Sequence, residues 1–331
     1  MRPLRWSRRP QQAGARAHWV PWIALRQNGS VVSRNRWSGA VKISVTVVVP
    51  IRNEAASLAS CLSRLRSFER VVVVDSGSED ASKSIARDFG AQVVDFRWNG
   101  SFPKKRNWFL DNCEIDTDWV LFLDADELVT QDFCDEVASA IAGGKYVGFW
   151  LSYDNWFLGR RLRFGDTFRK LALFRRDAGR FERIDEVEWS SLDMEVHEHP
   201  VLQGPVGSLR SRVEHVDKRG LHAYISKHNE YSTWEARRLQ QLLRKGGSAR
   251  LSARLSARQR WKYRLARTPL LPAAYYLYCL IFKLGVLDGR AGFALARLKA
   301  QYYYHVGLKF AELHRASDPE ERSSSFEGSG K

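Results

Sequence analysis

The chain has 331 residues, 44% of them apolar, which suits one large domain with or without an appendage and excludes wholesale disorder. Its formal net charge is +16, from 53 Lys and Arg against 37 Asp and Glu, so an acidic partner is expected: an anionic membrane, a phosphorylated substrate or nucleic acid. Cys61, Cys113, Cys134 and Cys279 form no C-x-x-C pair and cluster with no His, which argues against a zinc site or a disulfide framework and for reduced thiols in a cytosolic setting.

Residues 1–40 hold eight Arg, no Lys and no acid. Their apolar stretch at 20–25 is broken by Pro21 and is too short for a secretory signal, so a disordered basic tail able to touch anionic lipid is expected. Residues 45–49 are an apolar, β-branched run closed by Pro50, the pattern of a buried parallel strand. Ala55, Leu58, Leu62 and Leu65 follow at helical spacing. A second strand at 71–74 ends in Asp75-Ser76-Gly77-Ser78, and Ser78 or Asp80 can cap the helix that runs through Ile85 and Ala86 to Gly90. A third strand at 92–95, a helix near 104–112 and a fourth strand at 119–123 complete the alternation, and Asp124-Ala125-Asp126-Glu127 closes it. Four strand–helix alternations predict a doubly wound α/β sheet.

Ligands of such sheets bind at the carboxyl ends of the strands. Three of those ends carry polar side chains here: Arg52-Asn53-Glu54, Asp75-Ser76 and Asp124-Ala125-Asp126. Neither G-x-G-x-x-G after the first strand nor G-x-x-x-x-G-K-[ST] is present, which removes the main support for a dinucleotide or P-loop site. Strands are expected at 146–153 and 170–174, a polar cluster at Glu195-Val196-His197-Glu198-His199, a helix at 221–243 and a linker at 245–248. Residues 270–282 carry no charge, and 268–287 reach spanning length with Lys283 alone to snorkel. Leu295, Leu298, Tyr302, Val306, Phe310 and Leu313 then share one helix face. Contact with a membrane surface, a span, and packing on the preceding domain are all open to this pair. The expected division is 1–40 basic tail, 41–245 catalytic domain, 246–315 C-terminal helices and 316–331 disordered tail.

On an extended chain Asp124 and Asp126 point the same way, and two such carboxylates suit Mg²⁺ or Mn²⁺ held jointly with a diphosphate. Asp75 can meet a nucleobase or ribose, or cap a helix. Lys104, Lys105 and Arg106, just before Asn107, can neutralise diphosphate charge or form a solvated face.

Val45-Thr46-Val47-Val48-Val49-Pro50-Ile51-Arg52-Asn53-Glu54, Val73-Val74-Asp75-Ser76-Gly77-Ser78 and Asp124-Ala125-Asp126-Glu127 together resemble glycosyltransferase family 2 in order and spacing. Phe102-Pro103-Lys104-Lys105-Arg106-Asn107-Trp108, Asn155-Trp156-Phe157-Leu158-Gly159-Arg160 and Val196-His197-Glu198-His199 are similar to its lipopolysaccharide core glucosyltransferase branch. The resemblance implies a GT-A fold (the nucleotide-diphospho-sugar transferase fold, a mixed sheet flanked by helices) with a C-terminal helical, membrane-associating appendage. It implies inverting transfer of a hexose, from UDP-glucose, to a sugar of a lipid-linked envelope glycan at the cytoplasmic face of the inner membrane. By position, Pro50, Asn53, Glu54, Asp75, Ser76, Lys104, Arg106, Asn107 and Asp124 shape the nucleotide-sugar site. Asp124 and Asp126 hold a divalent metal, and Glu198 is the base with His197 its rival. Arg52 and Ala172 depart from the family pattern, which favours a smaller polar residue and an Arg there.

Partners are then a nucleotide-sugar donor, a lipid-linked acceptor and anionic lipid, with no nucleic acid expected. Transfer to polyprenyl phosphate is the near alternative. A nucleotidyltransferase wants a Gly-rich loop where Pro50-Ile51-Arg52-Asn53-Glu54 stands, and a charge-driven, non-catalytic binder leaves the aligned strand ends unexplained.

Overall fold

The computed structural model describes residues 42–99, 102–165, 168–182, 199–244, 265, 268 and 270–315. The expected tails at 1–40 and 316–331, the linker at 245–248 and the candidate bases His197 and Glu198 lie outside the described residues.

The first strand, β1 (Ile43–Ile51), is the spine of the sheet. It pairs in parallel with β2 (Phe68–Asp75) on one side and β4 (Trp119–Phe122) on the other, and β2 carries parallel β3 (Gln92–Asp95) at the edge. Because side chains alternate, β1 serves two cores at once. Val45, Val47 and Val49 pack with Leu58 and Leu62 of α1 (Ala55–Ser63) and with Phe133 and Val137 of α4 (Gln131–Ala142). Val48 packs on the other face with Val72, Val74, Phe122 and with Phe109 of α3 (Lys105–Asn112). The run at 45–49 can therefore be apolar on both faces, because both are covered, and its one polar member, Thr46, is buried with its hydroxyl bonded to Thr117 Oγ1 at 2.8 Å.

Beyond β4 the sheet turns mixed. Antiparallel β8 (Arg169–Arg175) pairs with β4, antiparallel β6 (Gly148–Phe157) with β8, parallel β11 (Val206–His215) with β6, and short β5 (Glu127–Leu128) closes the path as an antiparallel partner of β11. Two-residue β7 (Arg160–Arg161) folds back on β6 as a hairpin, and β9 (Gly179–Phe181) with β10 (Pro200–Leu202) makes a separate ribbon. In this order β4, β6 and β11 run parallel to β1, so their carboxyl ends and the start of β8 meet at one sheet edge.

Two local expectations change. The second helix, α2 (Ser82–Asp88), starts later than expected, and Ala81 at its N-cap position makes no side-chain bond. Asp80 does cap the helix start, its Oδ1 accepting from Ser82 N at 3.0 Å, while its Oδ2 accepts from Ala55 N and Ser78 Oγ from Asn53 N, tying the β2–α2 loop to the β1–α1 loop. Residues 268–287 do not form a straight span. The helix α6 (Leu270–Leu277) continues as a wider turn to Phe282, Leu284 takes a positive φ of 56°, and α7 (Gly289–Arg315) departs at 76°. Among the described residues no single helix is long and apolar enough to cross a membrane.

The apolar stripe of α7 turns inward. Phe310, Tyr303 and Leu313 pack with Ala236 and Leu239 of α5 (Gly220–Arg244), while Leu295 packs with Leu162, Phe157 and Tyr224. Of the readings open to this stripe, packing on protein is the one the structure shows.

Candidate active site

In sheet order β3-β2-β1-β4 the chain winds outward in one direction from β1 and then crosses to its other side. That reversal opens a crevice between β1 and β4, the place where an open α/β sheet takes a ligand. Its floor is the loop after β1. Asn53 sits at φ 56°, a left-handed conformation that Asn tolerates, and its side-chain oxygen accepts from Glu79 N at 2.8 Å. Glu54 N donates to Ser82 Oγ at 2.9 Å, which leaves the Glu54 carboxylate aimed at Arg219, 3.0 Å away. Burial raises the Glu54 pKa, against the pull of Arg219.

Asp75, at the end of β2, is fully buried, and its carboxylate accepts from Gly77 N, from Ser78 N and from Lys83 Nζ at 3.2 Å. Burial works against its charge, but the Ser78 and Lys83 hydrogen bonds win and hold the pKa below the usual range. Asp75 thereby fixes the loop 76–78. The neighbouring Ser76 Oγ is buried and has no hydrogen-bond partner, an unmet group beside the crevice.

Asp124 to Glu127 is a turn, closed by Glu127 N donating to Asp124 O at 3.0 Å, and not the extended segment expected. The two aspartates consequently have different neighbours. Asp124 meets Lys170 Nζ at 2.5 Å and Arg106 Nη2 at 3.4 Å. Desolvation opposes its charge, yet those two cations hold its pKa far below the ordinary carboxylate range. Asp126 is 7% exposed and lies 3.5 Å from both His215 Nε2 and Arg219 Nη2. Burial again opposes ionisation, and the His215 contact outweighs it and lowers the pKa. His215 shifts up in turn, because Asp126 more than offsets its burial. With Asn155 Oδ1 accepting from His215 Nδ1 at 3.1 Å, the ring is oriented with Nε2 toward Asp126.

Glu127 is the strut beneath this turn. Its carboxylate, buried completely, accepts from Asp124 N at 3.1 Å, Tyr153 Oη at 3.2 Å and Lys170 Nζ at 2.6 Å. Burial raises its pKa despite Lys170.

The basic segment before α3 divides. Arg106 reaches the site, while Lys104 and Lys105 are buried at 4% and 6% exposure. Asn107 corrects an expectation. Its amide donates to Phe181 O and accepts from Phe181 N, each at 2.9 Å, so it clamps α3 to β9 and presents no polar group to the crevice. Pro50 is half-buried at the end of β1.

Lys170, Arg219, Asn155 and Tyr153 were not expected in the site. Lys170 stands two residues before Ala172, on the same side of β8. Ala172 is buried, so on this face the cation comes from Lys170 where the family pattern has an Arg. The Asp217-Lys218-Arg219 turn after β11 offered one signal, since it is a charged turn directly ahead of the expected helix.

Residues 46–193 match the family model described as glycosyl transferase family 2. The lipopolysaccharide core biosynthesis glycosyltransferase LpsC of Rhizobium meliloti (strain 1021) is 25% identical over 287 residues, covering 82% of this chain and 94% of that protein. The uncharacterized glycosyltransferase RP128 of Rickettsia prowazekii (strain Madrid E) is 35% identical over 97 residues, 29% of this chain and 32% of that one. The solved structure of S. aureus TarS 1–349 in complex with UDP-GlcNAc is 16% identical, with 80% of this chain and 92% of that chain covered, at a TM-score of 0.39. With the sheet order and the three strand ends in place, the family match assigns residues 46–193 to a glycosyltransferase family 2 domain with the GT-A fold.

Proposed function

We propose that the protein transfers a hexose, from UDP-glucose, with inversion to a sugar of a lipid-linked envelope glycan of the lipopolysaccharide core type, at the cytoplasmic face of the inner membrane. The observation that carries the donor half is the switch-point crevice, where Asp124, Asp126 and Glu54 face Arg106, Lys170, Arg219 and His215. The acceptor half is supported by the likeness to LpsC over most of both chains.

The donor set fits a hard divalent cation. Asp126 offers a carboxylate oxygen and the oriented His215 a nitrogen 3.5 Å from it, with Asp124 on the same turn. Among the described residues no three His, Cys, Asp or Glu side chains form a ready cage, so diphosphate oxygens would complete the shell. When bound, Mg²⁺ or Mn²⁺ supplies charge relief on the departing diphosphate. Arg106 and Lys170 add positive charge at the same place and so favour the charge that develops on the leaving group. Asn53, Glu54, Asp75 and Ser76 shape the nucleotide end, with the unpartnered Ser76 hydroxyl turned to account there. A base must take the proton of the acceptor hydroxyl. The V-H-E resemblance assigns this to Glu198, with His197 the rival.

A thermal-shift panel of nucleotide sugars tests the donor. UDP-glucose with Mn²⁺ at about 100 times its Kd should stabilise by about 2.7 kcal/mol, or about 5–10 °C, more than Mn²⁺ or UDP-glucose alone. Equal shifts from any polyanion without metal would favour a charge-driven binder. For the base, Glu198→Gln should retain that shift while transfer drops by about 10²–10⁴-fold. Transfer at the parental rate would move the role to His197.

A further inference from the structure

The bend between α6 and α7 exposes apolar side chains that the fold leaves uncovered. Phe282 is 79% exposed, Leu287 62% and Ile281 58%, with Leu284 and Val286 close to half exposed. A second segment joins them from far away in sequence. The hairpin loop that links β6 to β8 presents Leu158, also 58% exposed, with Arg160, Arg161 and Arg163.

The two segments are fastened together. Asp288 accepts from Arg163 N at 2.9 Å and from Phe164 N at 3.0 Å, and Gly165 N donates to Lys283 O at 2.7 Å. The fit is tight at the seam, where a Cβ on Gly165, already at φ 64°, would meet Gly285 Cα at 3.1 Å. Within the bend a Cβ on Gly292 would meet Gly285 O at 1.9 Å. The seam is therefore one surface whose Asp288 bonds join residues 125 and 124 positions apart.

Its charge is one-sided. Arg160, Arg163, Lys283 and Arg290 belong to it, with Arg161 paired to Asp154 at 2.7 Å, and the one carboxylate between 281 and 290, Asp288, is turned onto backbone N–H groups. An apolar tip ringed by cations complements an anionic lipid surface, where the tip enters the acyl boundary and the ring meets headgroup phosphates. The 76° bend suits a surface that dips in and returns better than one that spans.

We infer that the α6–α7 bend at 281–290 and the hairpin loop at 158–164 form a docking surface for an anionic lipid bilayer. It rests on the lipid-linked acceptor reading for its purpose, though not for its chemistry. Strand β6 joins the two, because it runs from Asn155, the partner of His215, to Phe157 at the base of the hairpin loop.

The test is flotation of the full-length protein with phosphatidylcholine vesicles, with and without phosphatidylglycerol. Binding should require phosphatidylglycerol and weaken as salt rises through the screening range. The exposed-site double variant Phe282→Asp/Leu287→Asp should bind at least about tenfold less, and Arg160→Gln/Arg163→Gln should lose the phosphatidylglycerol preference. UDP-sugar hydrolysis by both variants in vesicle-free buffer should match the parent, which separates this inference from the donor reading. Parental vesicle binding by the double variant overturns the proposal. So does a loss of self-association in light scattering without a loss of vesicle binding, which would make a second copy the occupant. Should the double variant melt early, Phe282→Ser alone decides the same question.

Discussion

Asp126→Asn is expected to lower UDP-sugar turnover by about 10³-fold, the scale set by removing one well-placed charge-stabilising group from an active site. The substitution keeps size and one acceptor oxygen at a position that is 7% exposed, so no cavity opens. What it removes is the charge that holds His215 and Arg219 around a single oxygen, Oδ2. Steady-state kinetics against Mn²⁺ concentration checks it. The loss should appear with a weakened response to metal, and turnover at the parental rate would remove Asp126 from the donor site.

Lys170→Met is expected to act mainly on stability. Lys170 Nζ is shared between Asp124, at 2.5 Å, and the buried Glu127, at 2.6 Å. Removing one partner of a buried ion pair strands the other, and the cost is about 3 kcal/mol. For a domain of this size that corresponds to a fall of roughly 6–12 °C in Tm. The cost lies in the stranded carboxylate, so Lys170→Met/Glu127→Gln should recover more than half of it. Urea denaturation of the two single variants and the double closes the cycle, and strictly additive losses would show that Lys170 does not support Glu127.

In the first half of the sheet β1, β2 and β4 were legible because they are buried on both faces. Runs such as Val47-Val48-Val49 and Val72-Val73-Val74 leave no doubt about element type, and they end where polar residues begin. β11 was not read as a strand for the opposite reason. In Val206–His215 only Leu209 and Val213 are buried, and Val206, Ser208, Arg210 and Arg212 are exposed, so the segment has no apolar run. Losing β11 hid Arg219, and it left His215, which the sequence offers after Val213-Glu214 as a further ligand for the metal shell, without a place, since a strand end must be found before its side chains can be placed. The helix α4 was also missed, although it carried a signal: Thr130 accepts from Phe133 N at the N-cap, and Phe133, Cys134 and Val137 share the buried face.

Lys170 escaped notice because its partners lie 43 and 46 residues away, and a lone Lys in Lys170-Leu171-Ala172-Leu173-Phe174 has the look of a strand's wet side. Asn107 failed the other way. Its place in a basic segment suggested a ligand contact, and only the pairing with Phe181 shows an inward clamp. The amphipathic face of α7 had the right periodicity for either a lipid or a protein neighbour, and the position of α5 decides for protein.

The continuity of β6 sets a height. Asn155 orients the imidazole beside Asp126, and Leu158 stands at the surface three residues on. Extended chain advances about 3.3 Å per residue, so the two are at most about 10 Å apart. A bilayer touching Leu158 would hold the reacting centre within a sugar or two of the headgroups. The chain would then measure its acceptor as well as bind it, favouring hydroxyls on the membrane-proximal sugars of a glycolipid over those at the tip of a long glycan.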